Sequence, residues 1–338
     1  MSTTTAMTDL HLPVAAQPSI DSFVEIARQG ESQGYDRVWL PETWGRDAVT
    51  GLAAIATETE TIGIGSSICN VYSRSPALLG QTATTLQELS SGRFRLGIGP
   101  SGPAVVEGWH GLEFDRPLRR TREAIEIIRS VTGGETVTYD GDIFSLSGFR
   151  LRCDPPETRV PIDAAGMGPK TVELAGRFAD GWHATVLTPE GLTDRLEDFD
   201  RGVSLGDRDR AELQVTVSLT ACALNSGERA RQLAREHMAF YIGAMGTYYR
   251  ESLTRQGYDE AAEIAAAWAN GNRDRACSLI DDSLLDALCA AGPPSHASAR
   301  LEAFASIDGV DTVAVGFPRG ATPEEIHETI EALAPESR

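Results

Sequence analysis

Residues 160–182 read VPIDAAGMGPKTVELAGRFADGW, and their pattern sets the fold. The apolar run 160–165 is extended, Gly166, Gly168 and Pro169 turn the chain, and Val172, Leu174, Ala175 and Phe178 then recur at helical spacing. Strand, glycine turn, helix is the unit. Glycine accepts a positive φ and lets a ligand come close to the backbone, while Pro169 suits a first helical position, where its missing N–H has no intrahelical partner to lose. The amides of Lys170, Thr171 and Val172 are then expected to point outward together with the helix macrodipole behind them, a site for a phosphate-bearing ligand. A plain βα turn also favours Gly and Pro. Lys170 tilts the reading toward a ligand, because it is the only lysine among the 30 basic residues of the chain.

The same unit repeats on either side. Strand-like runs at 9–14, 37–40, 61–67 and 93–97 alternate with helical runs at 20–34, 52–60, 77–90 and 117–131. Residues 135–151 follow, and Asp140-Gly141 between β-rich runs reads as a hairpin turn. Beyond the central stretch come a strand at 182–187, a helix near 192–199 and a strand at 214–224. Residues 228–304 are helical with no convincing strand, long enough to cover one end of the domain. Residues 312–316 form the eighth strand, and a closing helix at 322–333 starts with Thr322 as cap and Pro323 first. Eight βα units predict an α/β protein of the (β/α)8 TIM-barrel type, one domain over residues 1–338, with its site at the carboxyl ends of the strands. An open doubly wound sheet is the alternative, but it rarely needs so many strands.

Composition narrows the function. With 338 residues, 41% hydrophobic and 23% charged, the chain has the make-up of a soluble globular protein. No apolar run is long enough to span a membrane, and residues 1–7 lack both the basic start and the apolar core of a signal peptide, so the expected location is cytoplasmic. Five cysteines without a Cys-x-x-Cys point to reduced thiols and no zinc site, and packing is the expected role of Cys69. A net charge of −19 argues against nucleic acid or an anionic membrane as partner. An acidic surface so poor in lysine suggests adaptation to high salt; an ordinary acidic enzyme is the alternative.

Unusual residues stand where barrel strands should end. Glu42 and Trp44 follow the second strand, with Thr43 between them; Asn70, Tyr72 and Arg74 follow the third. After the fourth come Gly97, Gly99, Ser101 and Gly102 with two prolines, a stiff turn whose open backbone suits a flat ring, and then Glu107, Trp109 and His110. His110 is the proton-transfer candidate, since imidazole titrates near neutrality; a packed or capping His is the plain alternative. His183, inside the sixth strand, is the second histidine candidate.

Together these segments resemble the luciferase-like superfamily of barrel oxidoreductases, and within it the branch that uses the deazaflavin coenzyme F420. The resemblance spans about residues 9–186 and 310–318. It is carried by Gly168-Pro169-Lys170 with Leu174-Ala175-Gly176 and Ala179-Asp180-Gly181, which are similar to the same segment in methylenetetrahydromethanopterin reductases, and by 96–100, LGIGP. Gly108-Trp109-His110-Gly111 with Phe114, Arg116-Pro117, Arg122-Glu123 and Ile128-Arg129 completes it. The resemblance implies a nonprolyl cis peptide at Ser67–Ile68, forming a bulge behind the deazaflavin ring. It implies ring support from Ser67, Ile68, Gly99 and Ser101, and a coenzyme phosphate held by Gly166, Met167, Gly168, Pro169 and Lys170. Glu42 and Thr43 match a position where the family carries an Asp-His pair near the ring; Thr43 cannot serve as that acid or base. Some members have a carboxylate directly after the strand-four glycines, where this chain has Pro103, with Glu107 a turn later.

The implied activity is hydride transfer between coenzyme F420 and a small organic substrate carrying C=N, C=C or C=O/alcohol, with Glu42 or His110 handling the proton and no metal. A halophilic archaeal source fits the composition, and a homo-oligomer such as a dimer is open. Two alternatives stand beside this reading: an FMN-dependent monooxygenase of the same superfamily, and a noncatalytic flavin or deazaflavin binder.

Overall fold

The computed structural model describes residues 6–13 and 17–335. The expected first strand runs to Val14, which lies outside the described residues, as do the first five residues of the segment tested for a signal peptide. In chain order the elements are β1 (Met7–His11), α1 (Ile20–Ser32), β2 (Arg37–Leu40), α2 (Ala48–Glu58), β3 (Gly63–Asn70), α3 (Pro76–Leu89), β4 (Phe94–Gly99), α4 (Pro103–Val106) and α5 (Pro117–Thr132). The hairpin β5 (Val137–Asp140) and β6 (Ser145–Phe149) precedes β7 (Ile162–Ala165), α6 (Pro169–Phe178), β8 (Gly181–Thr185), α7 (Pro189–Leu205) and β9 (Gln214–Ala223). Five helices follow, α8 (Gly227–Ala244), α9 (Thr247–Arg255), α10 (Glu260–Ala269), α11 (Arg273–Ser278) and α12 (Asp282–Leu288). The chain ends with β10 (Cys289–Gly292), α13 (Pro294–Ala305), β11 (Thr312–Gly316) and α14 (Pro323–Ala332).

Eight of these strands close into a parallel ring, β1-β2-β3-β4-β7-β8-β9-β11, with β11 pairing back onto β1. Closure excludes the open sheet. Each strand alternates its side chains between the two faces of the ring. Leu10, Val38, Leu40, Ile64, Leu96, Ile98 and Trp182 are fully buried. They face the helices: a Cβ on Gly30 of α1 would lie 2.7 Å from Leu10 Cδ1, one on Gly51 of α2 would lie 2.8 Å from Leu40 Cδ2, and Trp182 stacks on Phe199 of α7. This outer layer is the main hydrophobic core. Helix starts are capped as their sequences lead one to expect: Ser19, Asp47, Ser75 and Thr188 each accept an amide of the first turn, and Thr322 forms a reciprocal capping box with Glu325.

Three expectations need correction. The segment expected to hold no strand contains β10, which pairs in parallel with residues 220–223 of β9. Its sequence, CAAG, has none of the β-branched or aromatic residues that mark a strand. The first strand begins at Met7 and ends at His11, earlier than expected at both ends. The stiff turn after β4 also winds into the one-turn helix α4, because Pro103 sits at its start and the Val105 and Val106 amides both return to Gly102 O. The hairpin is as expected, with the Gly141 amide bonded to Phe144 O across the turn. Helices α8–α12 and β10 enclose a second core around Leu233, Met238, Ile242, Leu253, Ile264 and Leu285. No described helix is long and apolar enough to cross a membrane.

Candidate active site

The carboxyl ends of the ring strands form one mouth, and partly exposed residues collect there: His11, Glu42, Thr43, Ser67, Ile68, Ser101, and 166–169. Its floor is a break in β3. Pairing with β4 is regular up to Ser66 and resumes at Cys69, and between them the Ser67–Ile68 peptide is cis, as the resemblance implies. The displaced backbone needs room. Gly97 of β4 provides it, since a Cβ there would overlap the Ser66 carbonyl oxygen. Gly99 provides more, for a Cβ there would lie 3.3 Å from Ile68 Cγ1 and 3.5 Å from Ala165 Cβ. Ile68, Gly99 and Ala165 thus make a small apolar platform of a kind that suits the face of a planar ring.

Glu42 anchors one side of the mouth. Its Oε1 accepts from Arg74 Nε at 2.6 Å and its Oε2 accepts from the Asn70 amide at 2.9 Å, while Arg74 also reaches Asp47 at 2.8 Å. Burial pulls the Arg74 pKa down, but the hydrogen bond and charge of Glu42 outweigh it and hold the guanidinium firmly charged. Both carboxylate oxygens are therefore engaged in bracing the end of β3. Asn70 is fully buried, with Oδ1 on the Tyr72 amide at 2.7 Å and, among the described residues, no partner for Nδ2. Thr43 is partly exposed beside Glu42. Burial pushes the Cys69 thiol up to about 12, in keeping with a packing role.

On the opposite side, the β7–α6 turn has a different arrangement from the one its sequence suggests. The Thr171 and Val172 amides both return to Gly168 O at 3.0 Å instead of pointing outward. Among the described residues, the amides of Met167, Gly168 and Lys170 are left without an acceptor. Lys170 is exposed and lies along the helix, its Nζ 3.0 and 3.1 Å from the Glu173 carboxylate oxygens. Gly166 O is held by Trp182 Nε1 at 2.8 Å. Ser101 takes a positive φ of 58° at the turn before α4. His110 is half-buried on the loop beyond α4, and among the described residues no hydrogen bond of its side chain joins it to the floor.

The inward faces of the strands carry His183, the second histidine candidate, together with groups that the sequence reading passed over. His183 points into the ring, with Nδ1 3.1 Å from Ser67 Oγ and Nε2 3.1 Å from Asp163 Oδ2. Asp163 is also gripped by Arg95 through two hydrogen bonds of 2.5 and 2.6 Å. Burial would raise the Asp163 pKa, yet the Arg95 charge and the His183 and Arg95 hydrogen bonds hold it well below the usual carboxylate range. His11 Nε2 lies 3.1 Å from Ser67 O, and desolvation lowers its pKa to about 4. Deeper in the ring, Trp39 Nε1 donates to Asp9 Oδ2 at 2.6 Å, and burial raises Asp9 to about 7 despite the nearby Arg37. A charged residue at an inward position of an apolar strand was the clue in each case: Asp9, Arg37, Arg95 and Asp163 all interrupt runs read only for their hydrophobic members.

The residues present fit a planar ring with a phosphate-bearing tail. The platform is flat and apolar, the mouth holds an unpartnered buried amide at Asn70, and the β7–α6 turn offers free backbone N–H groups at a helix start.

Known proteins share the sequence and the fold. A protein of Mycobacterium tuberculosis provisionally named a coenzyme F420-dependent oxidoreductase is 33% identical over 300 residues, covering 83% of this chain and 86% of its own. The 5,10-methylenetetrahydromethanopterin reductase of Methanolobus tindarius is 30% identical over 303 residues, covering 88% of this chain and 91% of its own. Among solved structures, the coenzyme F420-dependent tetrahydromethanopterin reductase of Methanopyrus kandleri superposes with a TM-score of 0.87 at 22% identity, over 99% of this chain and 100% of that one, which shows the same fold. Residues 2–312 match the luciferase-like monooxygenase family along nearly the whole barrel. The chain belongs to that family.

Proposed function

We propose that the protein is a coenzyme F420-dependent oxidoreductase that moves a hydride between the deazaflavin and a small organic substrate with a C=N, C=C or C=O/alcohol group. The platform of Ile68, Gly99 and Ala165 at the mouth carries this reading, and the names of the two curated relatives support the choice of coenzyme. When bound, the deazaflavin supplies a ring carbon that gives or accepts hydride. The chain's own residues do the rest. Ser67, Ile68, Gly99 and Ser101 support one face of the ring, Glu42 and Thr43 border it, and the free amides at 167, 168 and 170 receive the phosphate, with Lys170 turning from Glu173 to join them. With Glu42 committed to Arg74 and Asn70, His110 is the better placed of the two candidates to exchange a proton with bulk water. Helices α8–α12 cover the mouth and shape the substrate pocket.

The second reading is an FMN-dependent monooxygenase, which the family description favours. Titration with oxidised coenzyme F420 and, separately, with FMN, followed by fluorescence in high salt, decides between them. Preferential deazaflavin binding, weakened several-fold in Lys170→Ala by loss of one charge-assisted contact, is the expected result; preference for FMN would transfer the assignment to the monooxygenase, and binding of neither would leave a noncatalytic or unrelated role. We also propose a cytoplasmic enzyme of a salt-adapted, halophilic archaeal source that works as a homodimer. Sedimentation checks the last point.

A further inference from the structure

Ser67 sits at the floor of the mouth, partly exposed, and both of its oxygens are used from below. Its carbonyl oxygen faces His11 Nε2 at 3.1 Å from β1, and its hydroxyl faces His183 Nδ1 at 3.1 Å from β8, across the ring. The neighbours of this pair fix one proton on each ring. Asp163 is held ionised by Arg95, so it can only accept, and His183 Nε2 must carry the proton that it donates. A neutral His183 then has a bare Nδ1, which accepts the Ser67 hydroxyl proton. A carbonyl can only accept as well, so His11 Nε2 is the donor to Ser67 O, whether His11 is neutral or charged. Trp39 fixes the His183 ring edge-on at 4.3 Å, and Trp39 is itself tied to Asp9 at 2.6 Å.

We propose that His183, oriented by Asp163 and Arg95, and His11 are positioning residues that clamp Ser67 by its hydroxyl and its carbonyl, so that the floor turns neither of these polar groups of Ser67 toward the coenzyme ring. Neither histidine touches the coenzyme; each acts through Ser67. Without the clamp, the Ser67 hydroxyl would be free to rotate into the mouth and hold water against the platform. The ring would have to displace that water. This inference rests on the deazaflavin reading of the site and deepens it.

Two measurements on the whole protein test it. In the ligand-free protein, the imidazole 15N shifts near neutral pH should show His183 with Nδ1 bare and Nε2 protonated; a protonated Nδ1 would overturn the clamp. In fluorescence titrations with oxidised coenzyme F420, His183→Leu, which frees the Ser67 hydroxyl, should weaken binding about tenfold, the scale of one lost buried hydrogen bond, while Ser67→Ala, which removes that hydroxyl, should leave binding close to wild type and, added to His183→Leu, should restore most of the loss. His183→Gln, which can still accept from Ser67, should recover part of the loss. A tenfold loss in Ser67→Ala, or a double variant as weak as His183→Leu, would overturn the proposal. Should His183→Leu fail to fold, His183→Gln, Ser67→Ala and the 15N shifts decide. Failure of the wild-type protein to bind the coenzyme would instead overturn the functional reading, and the tautomer measurement would still judge the clamp.

Discussion

Asp9 is fully buried, and its Oδ1 has no partner among the described residues while Oδ2 takes the Trp39 indole proton. In the unfolded chain it ionises near 3.8, in the folded one near 7. Between those values the folded state keeps a proton that the unfolded state has released, so this group's stabilisation is complete below about 4 and is lost as pH rises through 7, at about 1.4 kcal/mol per pH unit. His11 and His237 work the other way. Burial lowers them from 6.5 to about 4 and about 3, so the unfolded chain takes up their protons first and stability falls as pH drops below 6.5. Two such groups outweigh one carboxyl, and the Asp9 contribution is best seen as a difference. Asp9→Asn should make stability rise more steeply with pH than in the wild type, by about 1.4 kcal/mol per unit between about 4 and 7, in urea unfolding at several pH values. A constant offset would show that Asp9 is not buried in its neutral form. At this scale the sequence was partly legible. His183 drew notice as an imidazole inside a strand, but its partners come from β3 and β7, far off in the chain, and no local pattern joins them. Lys170 drew notice by its rarity, yet rarity says nothing of where a flexible side chain lies.

Strand β4 carries two glycines on its inward face, and they should respond oppositely to the same substitution. Gly97→Ala would drive a methyl group into the Ser66 carbonyl oxygen, a backbone atom with nowhere to go, so a loss of about 3 kcal/mol or more is expected, read as a lower thermal midpoint or as insoluble protein. Gly99→Ala meets only the flexible Ile68 side chain, at 3.3 Å. It should fold within about 1 kcal/mol of wild type, yet weaken coenzyme binding by raising the platform. Equal stability losses at both positions would contradict the placement of the β3 break. Elements as a class were the most legible part of the chain. Every ring strand was placed within three residues at each end, because outward faces rich in Val, Ile, Leu and Trp mark them. β10 escaped because Ala and Gly carry no such mark, and the reach of α7 to both sides of residues 192–199 escaped because its ends are polar.

The whole chain bears 49 acidic residues against 30 basic ones, and much of its arginine is tied down. Asp180 alone gathers Arg129, Arg159 and Arg208 at the amino-terminal side of the ring, and Asp282 takes Arg231 and Arg235 on the insertion. What is left over is a surplus of carboxylates that repel one another when salt is thin, since the screening length grows from roughly 3 Å at 1 M to 30 Å at 0.01 M salt. Dialysis from molar to millimolar salt should therefore lower the thermal midpoint by several degrees, and a midpoint indifferent to salt would remove the halophilic reading. Closure of the ring was legible from the count of βα units, whereas the insertion's own core was not, because one long helix and four short ones with few caps give little sign of which faces meet.

That insertion departs and returns at adjoining points: the chain leaves β9 at Ala223, and the Leu224 amide is bonded at 3.1 Å to Gly292 O, where β10 brings it home. Residues 225–291 are thus a cassette whose two ends are already stapled together. Lengthening or shortening it leaves those two ends where they are, provided Gln256 still receives the Thr188 amide and His237 the Arg319 amide. If these helices shape the substrate pocket as proposed, the choice of substrate and the closure of the barrel lie in separate stretches of chain, open to revision at different rates.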